Sequence, residues 1–228
     1  MNTTTIPRGL TPQEAASELQ SGISTALTAT DTVSATRLSD LTLVHKARLS
    51  QLTRSVKAAT AQYGEASSQA AKAQAAVTAE HNIVARVELV KRRTALTAPT
   101  VSANGWAVWG LVHDTNSKPL RGYCVFLVDE QKNYQSEYGF AYTDESGAFT
   151  INFAGAATAA GQTKATVPTV FLSITNAKAQ QVFIGSKALS LTIGSALYVD
   201  TALPVGAPPL GDIPQEIQRT AVPPPRSV

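Results

Sequence analysis

The chain has one cysteine, one methionine and, between Pro12 and Pro99, no proline at all. The single cysteine, Cys124, excludes an internal disulfide; it stands between Tyr123 and Val125 in an apolar run, where a thiol reads as a small buried packing group. With methionine only at position 1 and charged residues at 15%, the abundant Ala and Thr point to close small-residue interfaces rather than a bulky, adaptable core. Nowhere does an uncharged apolar run approach the ~18 residues of a membrane-spanning helix. The opening MNTTTIPRGLTPQEAASELQ lacks the charged-then-apolar order of a secretory leader. The expectation is therefore a chain without a membrane span that is cytoplasmic as synthesised, with export inside a larger machine left open.

The net charge is +3, and its excess lies early: residues 1–97 hold 11 Lys and Arg against 7 Asp and Glu, whereas residues 98–203 hold 6 against 7. The one dense run, Lys91-Arg92-Arg93, follows Glu88 and reads as a solvated helix end. A nucleic-acid footprint needs a stripe of many cations, so no nucleic-acid partner is expected.

The proline-free region carries only Gly22 and Gly64 and is rich in Ala, Leu, Gln, Lys and Arg, which predicts helix over a region 1–97. TPQE at 11–14 has the form of a capping box, with Thr11 as cap, Pro12 first in the helix and Glu14 reaching back. A short first helix over about 12–28, with Ala15, Leu19, Ile23 and Leu27 on one face, is expected to end softly in TATDT. Leu38, Leu41, Leu49, Leu52, Val56, Ala59 and Tyr63 then recur at spacings of three and four. After Gly64 the seam resumes with Ala73, Ala76, Ile83, Val87 and Val90. This predicts an antiparallel, coiled-coil-like hairpin with arms over about 34–63 and 66–97. A two-helix hairpin has no core of its own, so Leu43, Val44, Val77 and Leu89 are candidate partner-binding positions.

TAPTVSANG at 97–105 holds Pro99 and gives a linker over 98–105. Beyond it the period changes from helical to two. WAVWGLVHD, YCVFLVDE, GFAYTD, AFTINF, TVFLSITNA, QVFIG and ALYVDTAL are β-branched and aromatic runs between Gly, Pro, Asn, Asp and Ser, seven strands within 106–203. That density predicts a β-sandwich. Residues 154–167 read as a long loop, and 204–228, with seven of the twelve prolines, as an extended Pro-rich arm. The fold class is α+β in two separate parts.

Gly110, Asp114, Pro119, Leu120, Gly122, Asp129, Thr143, Asp144, Gly147 and Phe149, set in WGLVHDTNSKPLRGYCVFLVDE and TDESGAF, make this region resemble the carboxypeptidase regulatory-like domains of the transthyretin (prealbumin-like) sandwich group. The resemblance covers about 105–203 and leaves the helices unrecognised. It implies that Thr-Asp, two residues, Gly is a hairpin turn, with Asp144 accepting backbone N–H bonds and Gly147 at positive φ. It implies no job, since such domains serve as spacers, adhesion modules and assembly parts.

No catalytic, cofactor or metal set emerges. Ring-cleaving dioxygenases with a similar core need two Tyr and two His, and only His113 lies in 106–203; the hydroxyisourate hydrolase signature is absent. DESG offers too few oxygens for calcium. Antiparallel pairing about Gly64 sets His45 near Val84 and within reach of His81, but two imidazoles alone are a thin metal site, and a polar seam residue fixing register is the plainer reading. His113 reads as an exposed edge histidine. The first strand lacks the Lys that an isopeptide with Asp200 would need. Tyr134 and Tyr138 are balanced between core and an outward aromatic face.

The sequence thus predicts a non-enzymatic structural protein, a homo-oligomer or component of a larger assembly, whose hairpin and terminal arms mediate subunit packing. The alternative is an adhesion module binding carbohydrate or peptide through the strand loops.

Overall fold

The computed structural model describes residues 12–155, 169–176, 178, 180–206 and 211–212. Its first element, α1 (Pro12–Tyr63), is one uninterrupted helix of 52 residues, about 78 Å long at 1.5 Å per residue. The expected break near TATDT does not occur. Thr25, Thr28, Thr30, Thr32 and Thr36 each donate their hydroxyl to the carbonyl four residues back, at 2.8–2.9 Å, so these side chains are accommodated within the helix. The proposed cap Thr11 and the side chains of Glu14 and Ala15 lie outside the described residues.

At Gly64 the chain turns, with φ +83°, and Ser67 caps α2 (Ser68–Ala95) by accepting from the Ala70 N–H at 3.1 Å. α2 ends at Ala95, because Leu96 is already extended. The two helices form the antiparallel hairpin, closed by Ala70, Val77 and Leu89 of α2 against half-buried Leu38, Leu49, Leu52 and Val56 of α1.

Seven strands follow: β1 (Trp106–Asp114), β2 (Cys124–Val128), β3 (Phe140–Tyr142), β4 (Ala148–Phe153), β5 (Phe171–Thr175), β6 (Gln180–Ile184) and β7 (Ala196–Leu203). A two-residue β8 (Gly211–Asp212) adds to one edge. They form a three-stranded sheet ordered β4-β1-β7 and a five-stranded sheet ordered β3-β2-β5-β6-β8. β1 runs antiparallel to β4 and parallel to β7, so the first and last long strands lie side by side.

One buried cluster joins residues of both sheets: Trp106, Val108, Val112 and Ile151 from one, Val125, Leu127, Leu172 and Ile174 from the other. Alternation places Cys124, Phe126 and Val128 on the opposite face of β2, where Tyr134, Phe140, Phe171 and Ile184 cover them. That is why β2 is buried along its whole length.

Strand ends share one device. The carboxylate of Asp114 accepts from the N–H groups of Asn116 and Lys118, both at 2.8 Å, and Asn176 Oδ1 does the same for Lys178 and Gln180. Gly110 is needed for close approach: a Cβ there would sit 1.7 Å from the Val199 carbonyl oxygen across the parallel pair. Most of the loop expected over 154–167 and most of the arm expected after Leu203 lie outside the described residues.

Candidate functional site

α2 is much shorter than α1 and leaves the first part of it bare. Every side chain from Ser17 to Val33 is exposed. Among them Leu19, Ile23 and Leu27, at 67%, 60% and 60% exposure, recur every four residues and so share one face. Leu43 and Val44 add two further exposed apolar groups, whereas Val77 and Leu89 are buried in the hairpin's own seam. The four helix positions singled out as partner contacts thus divide, two outward and two inward. The larger bare stripe at Leu19, Ile23 and Leu27 was legible in its four-residue period, but a broken helix would have allowed it to fold back on the hairpin.

The seam holds one buried carboxylate that periodicity alone did not reveal. Glu80, at 3% side-chain exposure, meets His45 Nδ1 at 2.6 Å through Oε1 and Arg48 Nε at 3.5 Å through Oε2. His45 therefore pairs with Glu80, and His81 is exposed: neighbours on a helix point about 100° apart, so only one of Glu80 and His81 can face α1. Two turns further along α2, Lys46 Nζ donates to Glu88 Oε1 at 2.8 Å, and that bond holds the Glu88 carboxyl below its ordinary range.

The end of α2 is tied to the sheets. Arg92 donates through Nη2 to the Ser117 carbonyl at 2.6 Å, and Arg93 Nε donates to Asp200 Oδ2 on β7. Asp200 Oδ1 lies 2.9 Å from His113 Nε2 but outside hydrogen-bond alignment, while His113 Nδ1 is 2.7 Å from the Asp114 carbonyl oxygen. His113, expected at an exposed edge, is buried, because Asp200 from the parallel strand and Arg93 from α2 close over the end of β1. Asp200, which lacks a lysine neighbour, finds these ionic partners instead. Beside the junction lies a cleft of ≈ 600 Å³ between α2 and the 114–119 turn, lined by His81, Glu88, Arg92, Asp114, Asn116 and Lys118. Burial lowers the Arg92 guanidinium pKa, with Glu88 opposing. Glu88 is bound to Lys46 and Asp114 to its own turn, so the cleft's carboxylates already have partners.

The remaining candidates are placed as follows. Asp144 Oδ1 accepts from the Ser146 N–H at 2.8 Å and the Ala148 N–H at 2.9 Å, and Gly147 adopts φ +80° with no room for a Cβ, which would lie 2.4 Å from the Val112 oxygen. The DESG tip is a self-satisfied turn. Tyr138 packs on Trp106 and Phe153 with ring centroids 5.0 and 5.1 Å away, and burial raises its phenol pKa, helped by Glu137. Tyr134 packs on Phe126 at 5.5 Å. Both tyrosines are half-buried. Burial pushes the Cys124 thiol up to about 12. Among the described residues no group of three or more His, Cys, Asp or Glu is placed to hold a metal ion, and no helix is long and apolar enough to cross a membrane.

No family model and no curated protein matches the chain. Solved structures similar to part of it include chlorocatechol 1,2-dioxygenase from Pseudomonas putida, at 8% identity over 44% of this chain and 60% of that one, with a TM-score of 0.29. The TIE protein of Bacillus anthracis is 11% identical over 44% of this chain and 17% of its own, with a TM-score of 0.31. BcpA, the major pilin subunit of Bacillus cereus, is 11% identical over 44% of this chain and 30% of its own, with a TM-score of 0.26. The chain thus spans 60% and 17% of the first two. The expectation of a non-enzyme is corrected by these matches: besides the Pseudomonas protein, several others are dioxygenases, so the solved structures similar to part of this chain include enzymes. At these TM-scores none of them assigns a reaction, a substrate or an assembly to this chain. The particular resemblance to carboxypeptidase regulatory-like domains is matched by no family model.

Proposed function

We propose that the chain is an assembly component: its helical part packs against other subunits of a larger complex or filament. In this reading residues 106–203 form a prealbumin-like β-sandwich carrying the hairpin, and the Pro-rich arm 204–228 supplies a second tether. The observation that carries it is the bare Leu19, Ile23, Leu27 stripe on the part of α1 that no other described element covers. A lone helix owes most of its stability to packing of its apolar face. Burying each of these side chains fully contributes about 1.5–3 kcal/mol. Leu43 and Val44 add two further exposed apolar groups on α1.

The test is the native size of the tagged full chain in extracts of its own cells, beside Leu19→Gln with Ile23→Gln and Leu27→Gln. A large species that falls to monomer size in the triple variant is expected. Elution of the wild-type chain at monomer size would overturn the reading.

A further inference from the structure

α1 is electrically two-ended. From Gln13 to Val33 its charged residues are Glu14, Glu18 and Asp31, with no Lys or Arg; from Lys46 to Tyr63 they are Lys46, Arg48, Arg54 and Lys57, with no Asp or Glu. The helix macrodipole favours acid early and base late, but its influence fades within the first and last turns. Asp31 and Lys46 lie deep inside the helix, so the dipole does not account for them. The acidic half is also the half with the bare apolar stripe, and the basic half carries Leu52 and Val56, which α2 covers only in part.

We infer that the occupant of the stripe is a second copy of this chain, packed antiparallel along α1 about a two-fold axis near Arg37 and Leu38. The inference rests on the assembly reading above. An axis there sets Leu19 of one copy against Val56 of the other and Ile23 against Leu52, and brings Glu18 opposite Lys57. Every acidic half then lies along a basic half. A parallel pair would stack acid on acid and base on base, and pairing of two bare stripes alone would do the same for acid. Charge at the flanks of a helix seam chooses orientation in this way. Because the contact is reciprocal, it closes as a dimer.

The experiment is sedimentation velocity on the purified full chain at low salt, with two double variants: Glu18→Lys with Asp31→Lys, and Arg54→Glu with Lys57→Glu. All four sites are exposed, and circular dichroism verifies that each variant keeps its helix. The wild type should dimerise, each variant alone should lose about tenfold or more in dimer affinity, and an equal mixture should regain it, because only the mixture matches both halves. Added salt should weaken the wild-type dimer. A mixture no tighter than either variant would overturn the antiparallel register. A purified monomer beside a large species in cells would overturn the second copy as occupant while leaving assembly with a different partner; monomers in both would overturn both.

Discussion

Glu80 offers a quantitative check on how the hairpin is held. Its carboxylate is 3% exposed, while His45 is 19% and Arg48 64% exposed, so the burden of burial is uneven. Replacing His45 by Leu leaves a buried carboxylate facing only a distant guanidinium 3.5 Å away at the solvent edge. Removing one partner of a buried pair costs about 3–5 kcal/mol, and the remaining Arg48 sets the expectation near the lower end, ~3 kcal/mol. Glu80→Leu is different: His45 and Arg48 both reach solvent where Glu80 does not, so the cost should be ~1 kcal/mol or less. The double variant, His45→Leu with Glu80→Leu, should recover most of the loss by turning the polar pair into an apolar one. Urea unfolding followed by far-ultraviolet circular dichroism reads these differences. With a slope of about 2 kcal/mol per molar, His45→Leu should lower the midpoint by ~1.5 M and Glu80→Leu by ~0.5 M or less. Equal losses, or a larger loss for Glu80→Leu, would refute the claim that the buried carboxylate dominates.

Two further outcomes follow from the β-region. Gly110→Ala should cost about 3 kcal/mol or more, because its methyl would meet the Val199 carbonyl and part β1 from β7; loss of soluble protein or a large drop in midpoint is the readout, and a near-native midpoint would refute it. The Cys124 thiol, ordinarily near 9.0 and pushed up to about 12 by burial, favours the folded state fully below pH 9. That contribution is lost as pH rises toward 12, at about 1.4 kcal/mol per pH unit, so wild type should lose stability over this range faster than Cys124→Ala; parallel curves would refute it.

Much of the architecture is written in local patterns. The Leu and Val spacing around Gly64 gives the antiparallel hairpin, and the seven β-branched runs give seven strands, because alternation and period act within a few residues. What the sequence leaves ambiguous depends on contacts far apart in the chain. The threonines of 25–36 look like a helix end until each hydroxyl is seen to have a carbonyl one turn back. Glu80 and His81 are adjacent, and only the phase of α2 against α1 decides which is buried. His113 looks like an edge residue because Arg93 and Asp200, which enclose it, are distant in sequence from it. At the bare stripe of α1 the period of Leu19, Ile23 and Leu27 is plain, but whether another element covers it depends on where α2 stops.

The parallel pairing of β1 with β7 also has a consequence for how the chain is made. β1 cannot complete its sheet until residues 196–203, the partners along its length, have been synthesised. Both helices of the hairpin are complete in sequence at Ala95. At translation speeds of about 5–20 residues per second, that gap leaves both helices made and the sheet unfinished on the ribosome for roughly 5–20 s. The α1 stripe is therefore presentable to a partner well before the β-region exists as a folded body.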